Sequence, residues 1–441
     1  MGLAWLAGAC AKTTGGPVDE AGGEPGPRQA VDAMLRQRAK ALVAGDAEAY
    51  LAPMTPEARA VEEPIARGST AVPLADVSLL MDEADFNDAG TAVTAARLDF
   101  IYRYKDLPED NLFRFRLLYE LELRDGAWMV TSSRHDDSKT PLPIWARGPV
   151  TVAKSAHFLA LHRPGTTRVD ESLKLAETAR VKLLEGLTLQ PEQIHLLLLA
   201  RDQAEYRDMA GDGAGSSLAQ VSYVFRSSAG HPTRAEARQM VVNLAAVLQN
   251  PDRKADLGTD HGSELGGSAG RDEGGDELVM PEGLVEKLEN ELVPAQVFQH
   301  ELGHLALSRV TRESTTGWVV EGGAMLLADE RRVGSWQLGS LFGIYEQLSF
   351  AELSPSPNLT NAIAYAYANA AVSYLVETFG EKKFWDFYRD FKEYEPSGSM
   401  EAHPLEELRA DATHRLLRRI YDMDEKQLDE KTREYIKKAI A

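Results

Sequence analysis

Among 441 residues there is one cysteine, Cys10, so the chain can form no internal disulfide. It has no apolar run of roughly 18 residues or more, which excludes a transmembrane helix within it. Cations are scarce: 48 Lys and Arg stand against 68 Asp and Glu, a formal net charge of −20. A surface of that sign repels phosphate backbones and argues against nucleic acid as a partner. What is present is ordinary for a folded chain, with 44% hydrophobic and 26% charged residues. The length allows two or three domains.

The most informative stretch is His300-Glu301-Leu302-Gly303-His304, followed by Trp318-Val319-Val320-Glu321-Gly322-Gly323-Ala324. Residues four apart on a helix share a face, so His300 and His304 can offer two imidazole nitrogens to one ion. Glu301 points toward the same cleft, beside the ion, where a base for a metal-activated water belongs. A catalytic zinc usually takes three protein ligands and keeps one position open. Glu321 is the candidate third ligand; the 16 residues after His304 suffice for a helix end, a turn and a second helix. Gly322 and Gly323 leave room around the metal, and Trp318 can pack behind it. By average residue usage, His-Glu-x-x-His arises by chance in roughly one chain of this length per hundred.

The two pieces together resemble the gluzincin metallopeptidases, whose pattern is His-Glu-x-x-His, a spacer and Trp-x-x-Glu-Gly-x-Ala. The resemblance implies Zn2+ on His300, His304 and Glu321, with Glu301 as general base. Thermolysin-like members carry an Asp four residues after the glutamate ligand, to orient a ligand histidine. Here that position is Met325, which leaves the orienting partner of His300 unassigned. In several gluzincins a downstream tyrosine donates to the oxyanion, and Tyr365 or Tyr367 is placed to be that group by the resemblance. Either tyrosine can instead pack in a helical core.

Ahead of this module the chain reads in three parts. Residues 1–27 resemble the end of a bacterial lipoprotein signal peptide, with small residues before Cys10 and a Gly- and Pro-rich tether after it. Leu6 lies four residues before Cys10, where the family box prefers three, and a basic leader is missing. The resemblance implies lipidation at Cys10, an extracytoplasmic cell-surface location and membrane contact only through that anchor. The bland reading is a tail that happens to hold a cysteine.

Residues 28–137 open with a helix over Val31–Val43, and Asp46 can cap a short helix through Leu51. Strands are predicted near 77–86, 91–104, 113–123 and 127–133. Phe113, Phe115, Leu117, Tyr119, Leu121 and Leu123 alternate with mostly charged residues, and Asp125-Gly126 marks a tight turn. This order resembles the nuclear-transport-factor-2-like cone. No convergent acid–base pair is evident in it; His135 and Asp136 read as solvated, and the default is a structural or docking role.

Residues 138–149 hold Pro141, Pro143 and Pro149 and read as a linker. The peptidase-like module is placed at 148–441, divided into 148–316 (sheet and zinc helix) and 317–441 (helical). Its predicted strands are Val150–Leu161, Ile194–Leu199, Leu218–Phe225 and Met240–Leu248, the last rivalled by a helix capped at Thr233. Helices are predicted at 169–184, 282–292, 294–310, 362–379 and 382–394. The Gly- and Asp-rich stretch 256–277 reads as a surface loop including His261; His403 and His414 read as surface residues.

The fold class is therefore α+β. The expected function is zinc-dependent peptide-bond hydrolysis with a peptide or protein as substrate. No Gly-x-Met-Glu-Asn-type motif precedes the zinc helix, which favours an endopeptidase over an aminopeptidase. The alternative is a non-catalytic surface lipoprotein that keeps zinc as a staple and binds a ligand or partner.

Overall fold

The computed structural model describes residues 26–109, 111–136, 142–186, 194–210, 219–225, 235–248, 294–308, 310–330, 349–355, 362–393 and 404–440. These form an α+β fold with two sheets and a helical C-terminal region.

Three helices come first: α1 (Pro27–Val43), α2 (Ala47–Leu51) and α3 (Pro56–Thr70). Pro27 and Pro56 sit in first turns, where a missing N–H costs nothing. Asp46 caps α2 by accepting from the Ala49 N–H at 2.9 Å. Helix α3 was not legible in the sequence because Pro64 and Gly68 interrupt it, yet the chain carries the helix through both. Strands β1 (Leu74–Phe86), β2 (Ala92–Tyr104), β3 (Phe113–Arg124) and β4 (Ala127–His135) then form an antiparallel meander. Asp125 and Gly126 both have positive φ, as a two-residue hairpin turn requires. The inward face of β3 runs from Phe113 to Leu121; Leu123, counted with it from the alternation, is 39% exposed at the strand end.

The core beneath this sheet contains a charged pair that the sequence reading missed. Arg38 is 1% exposed and Glu62 is 0% exposed, with Arg38 Nη2 2.7 Å from Glu62 Oε2. Arg38 also donates to the Tyr50 carbonyl at 3.0 Å and to the Tyr119 hydroxyl at 3.1 Å. Ser133 Oγ and the Tyr50 hydroxyl donate to Glu62. The network thus ties all three helices to β3 and β4. A buried pair need not add net stability, but removing one partner strands the other charge.

The expected linker is a packed joint where it is described. Ile144–Arg147 forms one turn of 3-10 helix. Trp145 is fully buried against Tyr102 and donates from Nε1 to the Tyr104 hydroxyl at 3.0 Å. It fits because residue 68 is glycine: a Cβ there would collide with the Trp145 carbonyl. Arg147 pairs with Asp208 and donates to the Asp208 carbonyl at 2.6 Å, fastening the turn to the next layer.

That layer is a five-stranded sheet of β5 (Thr151–Lys154), β6 (Phe158–His162), β7 (His195–Ala200), β8 (Ala219–Phe225) and β9 (Ala235–Asn243), in the order β5-β6-β7-β9-β8. β6, β7 and β9 are parallel, with antiparallel β5 and β8 at the edges. The single strand predicted over 150–161 is a hairpin. Its turn is pinned by Glu177, which accepts from Ser155 Oγ at 2.6 Å and the His157 N–H at 2.8 Å. Strand β9 ends at Asn243, whose side chain caps α6 (Leu244–Val247), so the strand predicted to Leu248 changes to helix partway.

Both faces of this sheet are covered, which is why β6 and β7 read as unbroken apolar runs. Leu159, Leu161, Leu196, Leu198 and Val241 share a hydrophobic core with Trp145, the N-terminal sheet and α5 (Gln203–Ala210). On the other face Phe158, Ala160, Leu197, Leu199, Met240 and Val242 pack with α4 (Val169–Gly186) and α7 (Pro294–Leu307). The C-terminal helices are α8 (Gly317–Leu327), α9 (Phe350–Leu353), α10 (Ala362–Phe379), α11 (Glu381–Asp390), α12 (Leu405–Tyr421) and α13 (Glu425–Ile440), around their own core. The predicted helix at 282–292, Thr233, His261, His403 and Cys10 all lie outside the described residues.

Gly68→Ala is expected to destabilise the chain by about 1–3 kcal/mol or more, because the obstacle is backbone. Glu62→Ala is expected to cost about 3–5 kcal/mol by leaving Arg38 unpaired. Urea unfolding measures both; wild-type midpoints would contradict the packed joint and the buried network respectively.

Candidate metal centre

The site is made by two helices that approach closely. Helix α7 lays Phe298, Leu302 and Leu305 on the sheet. Its His300, Glu301 and His304 occupy other positions around the helix, and the i,i+4 spacing brings the two histidine side chains together. Helix α8 crosses beside it at Gly303: a Cβ added there would stand 3.2 Å from both the Cα and the carbonyl oxygen of Ala324. That approach lets Glu321, near the start of α8, reach the two imidazoles.

Gly322 and Gly323 serve a different purpose from the one their sequence position suggests. A Cβ on Gly322 would strike Val372 and approach the Ala368 carbonyl of α10. One on Gly323 would lie 2.8 Å from the Tyr388 ring and 3.2 Å from Leu307. These glycines clear space for neighbouring helices rather than for an ion. Trp318, likewise, packs in the helical core against Phe350 and Phe387.

The three candidate ligand atoms form a nearly equilateral triangle. His304 Nε2 is 3.1 Å from His300 Nε2 and 3.1 Å from Glu321 Oε2, and His300 Nε2 is 3.2 Å from Glu321 Oε2. Tetrahedral ligands held at about 2.0–2.2 Å from an ion stand roughly 3.3–3.6 Å apart. The triangle is therefore close to one face of such a tetrahedron, so His300, His304 and Glu321 can hold a metal ion. Among the described residues no other His, Cys, Asp or Glu joins this group. Two imidazole nitrogens and a carboxylate oxygen aimed at one point, in largely buried surroundings, suit a cation between them.

The sequence reading missed Glu330. Its Oε1 lies 3.3 Å from His300 Nδ1, on the side of the ring away from the triangle. Met325, at the position where an aspartate was sought, instead receives a contact from Asn369 Nδ2 to its Sδ at 3.4 Å. His304 Nδ1 is buried with no hydrogen-bond partner among the described residues.

Charge follows the geometry. Burial disfavours protonated His300, but Glu330 and Glu321 outweigh it and raise its pKa well above the histidine value. Burial likewise works against ionised Glu321, yet His304 and His300 hold its carboxyl far below the usual range. Glu301 is 8% exposed. Burial raises its pKa, with His304 and His300 opposing and the other two glutamates adding to the rise.

The tyrosines separate. Tyr367 is fully buried, stacked on Phe350, and its hydroxyl donates to Asp429 Oδ1 at 2.9 Å. It belongs to the helical core and is not brought to the triangle. Tyr365 is half-buried beside that core. It lies one turn before Asn369, on the stripe of α10 that includes the Glu330 contact. Elsewhere His414 is exposed and pairs with Glu425 at 3.2 Å, and His135 lies at the end of β4 with Asp136 just beyond. None of these approaches the triangle.

No described helix is long and apolar enough to cross a membrane. No family model matches the chain, and no curated protein does. Among solved structures it is similar to a function-unknown protein from Mycobacterium tuberculosis, at 13% identity over 24% of this chain and 69% of that one. The TM-score of that match is 0.19, a likeness that carries no argument about fold or activity.

Proposed function

We propose that the chain is a zinc-dependent peptide hydrolase of the gluzincin kind, acting as an endopeptidase outside the cytoplasm. The observation that carries this reading is the His300–His304–Glu321 triangle with a buried carboxylate, Glu301, next to it. A donor set of two imidazoles and one carboxylate, without thiolate, suits Zn2+. Zinc bound there would polarise a scissile carbonyl and acidify water.

The remaining roles fall to the chain's own side chains. Glu301, its pKa raised by burial, takes a proton from the attacking water and returns it to the leaving nitrogen. Tyr365, half-buried and one turn before Asn369 on α10, is the candidate to donate to a developing oxyanion, while Tyr367 lies in the helical core with its hydroxyl on Asp429. Strand β8 packs against α7 and pairs only with β9 among the described residues. Its other edge is suited to an extended peptide, which main-chain pairing would bind with little side-chain selectivity. The proposed location rests on Cys10 as a lipid anchor, a reading from sequence alone.

Glu301→Gln is expected to retain zinc while hydrolysis of a peptide library falls by at least about 100-fold, and His304→Ala to lose both. Mass-spectrometric cleavage profiles with parallel metal analysis check this; full activity in Glu301→Gln would reject the mechanism. Zinc uptake should also release protons near neutral pH, because the raised pKa of His300 keeps it protonated in the empty site. Zinc affinity should accordingly weaken as pH falls. Calorimetry in buffers of different ionisation enthalpy measures the release, and identical heats in all buffers would contradict it.

A further inference from the structure

We propose that Glu330 is the carboxylate that orients His300 for the metal, and that Asp329 and Asn369 hold it there. The inference rests on the zinc reading above, in which His300 is a ligand.

A histidine that gives one ring nitrogen to a metal carries its proton on the other, and that N–H needs an acceptor to fix the ring. For His300 the triangle takes Nε2, which leaves Nδ1, and Glu330 Oε1 lies 3.3 Å from it. The Glu330 side chain is mostly buried, so little water competes for the contact.

Glu330 is not on a helix face, and its placement comes from the way α8 ends. The Ala328 N–H still bonds to the Ala324 carbonyl at 2.9 Å in helical fashion. Asp329 then takes φ 56°, the left-handed region, which costs free energy for any residue but glycine and is tolerated best by Asp and Asn. The Glu330 N–H folds back to the Met325 carbonyl at 2.9 Å and the Asp329 N–H to that of Leu326 at 3.3 Å. This nested pair of bonds is a Schellman cap, here completed without glycine. It brings residue 330 back against the helix end.

The other side of the same residue is fixed from α10. Asn369, 4% exposed, donates from Nδ2 to the Glu330 carbonyl at 3.1 Å. The N–H of Glu330 is thus held by α8 and its C=O by α10, with the side chain directed at α7. Three helices meet on one residue. Met325 explains why the carboxylate comes from here: the position four residues after Glu321 carries a thioether that packs beneath Asn369 and supplies no charge.

The test uses the full chain, zinc titrated against a chromophoric chelator, and the Co2+ absorption spectrum as a second readout. Glu330→Ala is expected to weaken zinc binding by about 10–100-fold and to alter the Co2+ spectrum. The isosteric Glu330→Gln should show a smaller loss. Asn369→Ala, which keeps the carboxylate but frees its backbone, should bind zinc more weakly than wild type and release it faster. Each variant's metal-free unfolding midpoint is measured alongside, since a purely structural role would move that midpoint and leave metal affinity unchanged. Wild-type uptake with Glu330→Ala bound within two-fold of it overturns the orienting role alone. A wild-type chain that takes up no zinc overturns the zinc reading and this inference together.

Discussion

The close passage of two helices at Gly303 and Ala324 is the constraint on which the site depends. His300 and His304 are neighbours by helix geometry alone, but the third ligand atom comes from a separate helix. An alanine at 303 would push against the Ala324 backbone, which has no rotamer with which to yield. Gly322 and Gly323 extend the same logic outward, letting α10 and α11 close on α8 from behind. Three glycines therefore do for helix packing what the metal motif needs, although none of them faces the ion position.

Rigidity beneath the site comes from the five-stranded sheet. Its central strands are apolar on both faces because both are covered, one by α4 and α7 and the other by a core shared with the N-terminal sheet. Trp145 is the joint between the layers, and Arg147 fastens it to α5. Inside the N-terminal layer, Arg38 and Glu62 meet with hydrogen-bond partners drawn from α2, β3 and β4. Such a pair rewards one arrangement of helices over the sheet, whatever its net contribution to stability.

What could be read from the sequence was what local periodicity controls. The i,i+4 histidines, the antiparallel meander and the Asp125-Gly126 turn are short-range patterns, and they lie where the spacing put them. Glu321 was accessible by counting ligands. Glu330 was not, because its position depends on a single left-handed residue and on an asparagine 39 positions away. Tyr365 and Tyr367 are equivalent by composition; only their two-residue offset, read against the neighbours of α10, assigns one to the core. Arg38 and Glu62 sit in helices where charged residues ordinarily mark the wet face, so nothing local marked them as buried. Pro141, Pro143 and Pro149 suggested a linker because proline density cannot reveal that Trp145, between them, is fully buried.

The central claim is that three side chains hold one ion and leave one position open. Zinc-edge X-ray absorption on the zinc-loaded full chain, with and without a small hydroxamate, tests it most directly. The account predicts one zinc per chain in a shell of nitrogen and oxygen donors with two imidazoles, and a hydroxamate that changes the shell while both imidazoles stay. A third imidazole, or a shell that the hydroxamate leaves unchanged, would contradict it.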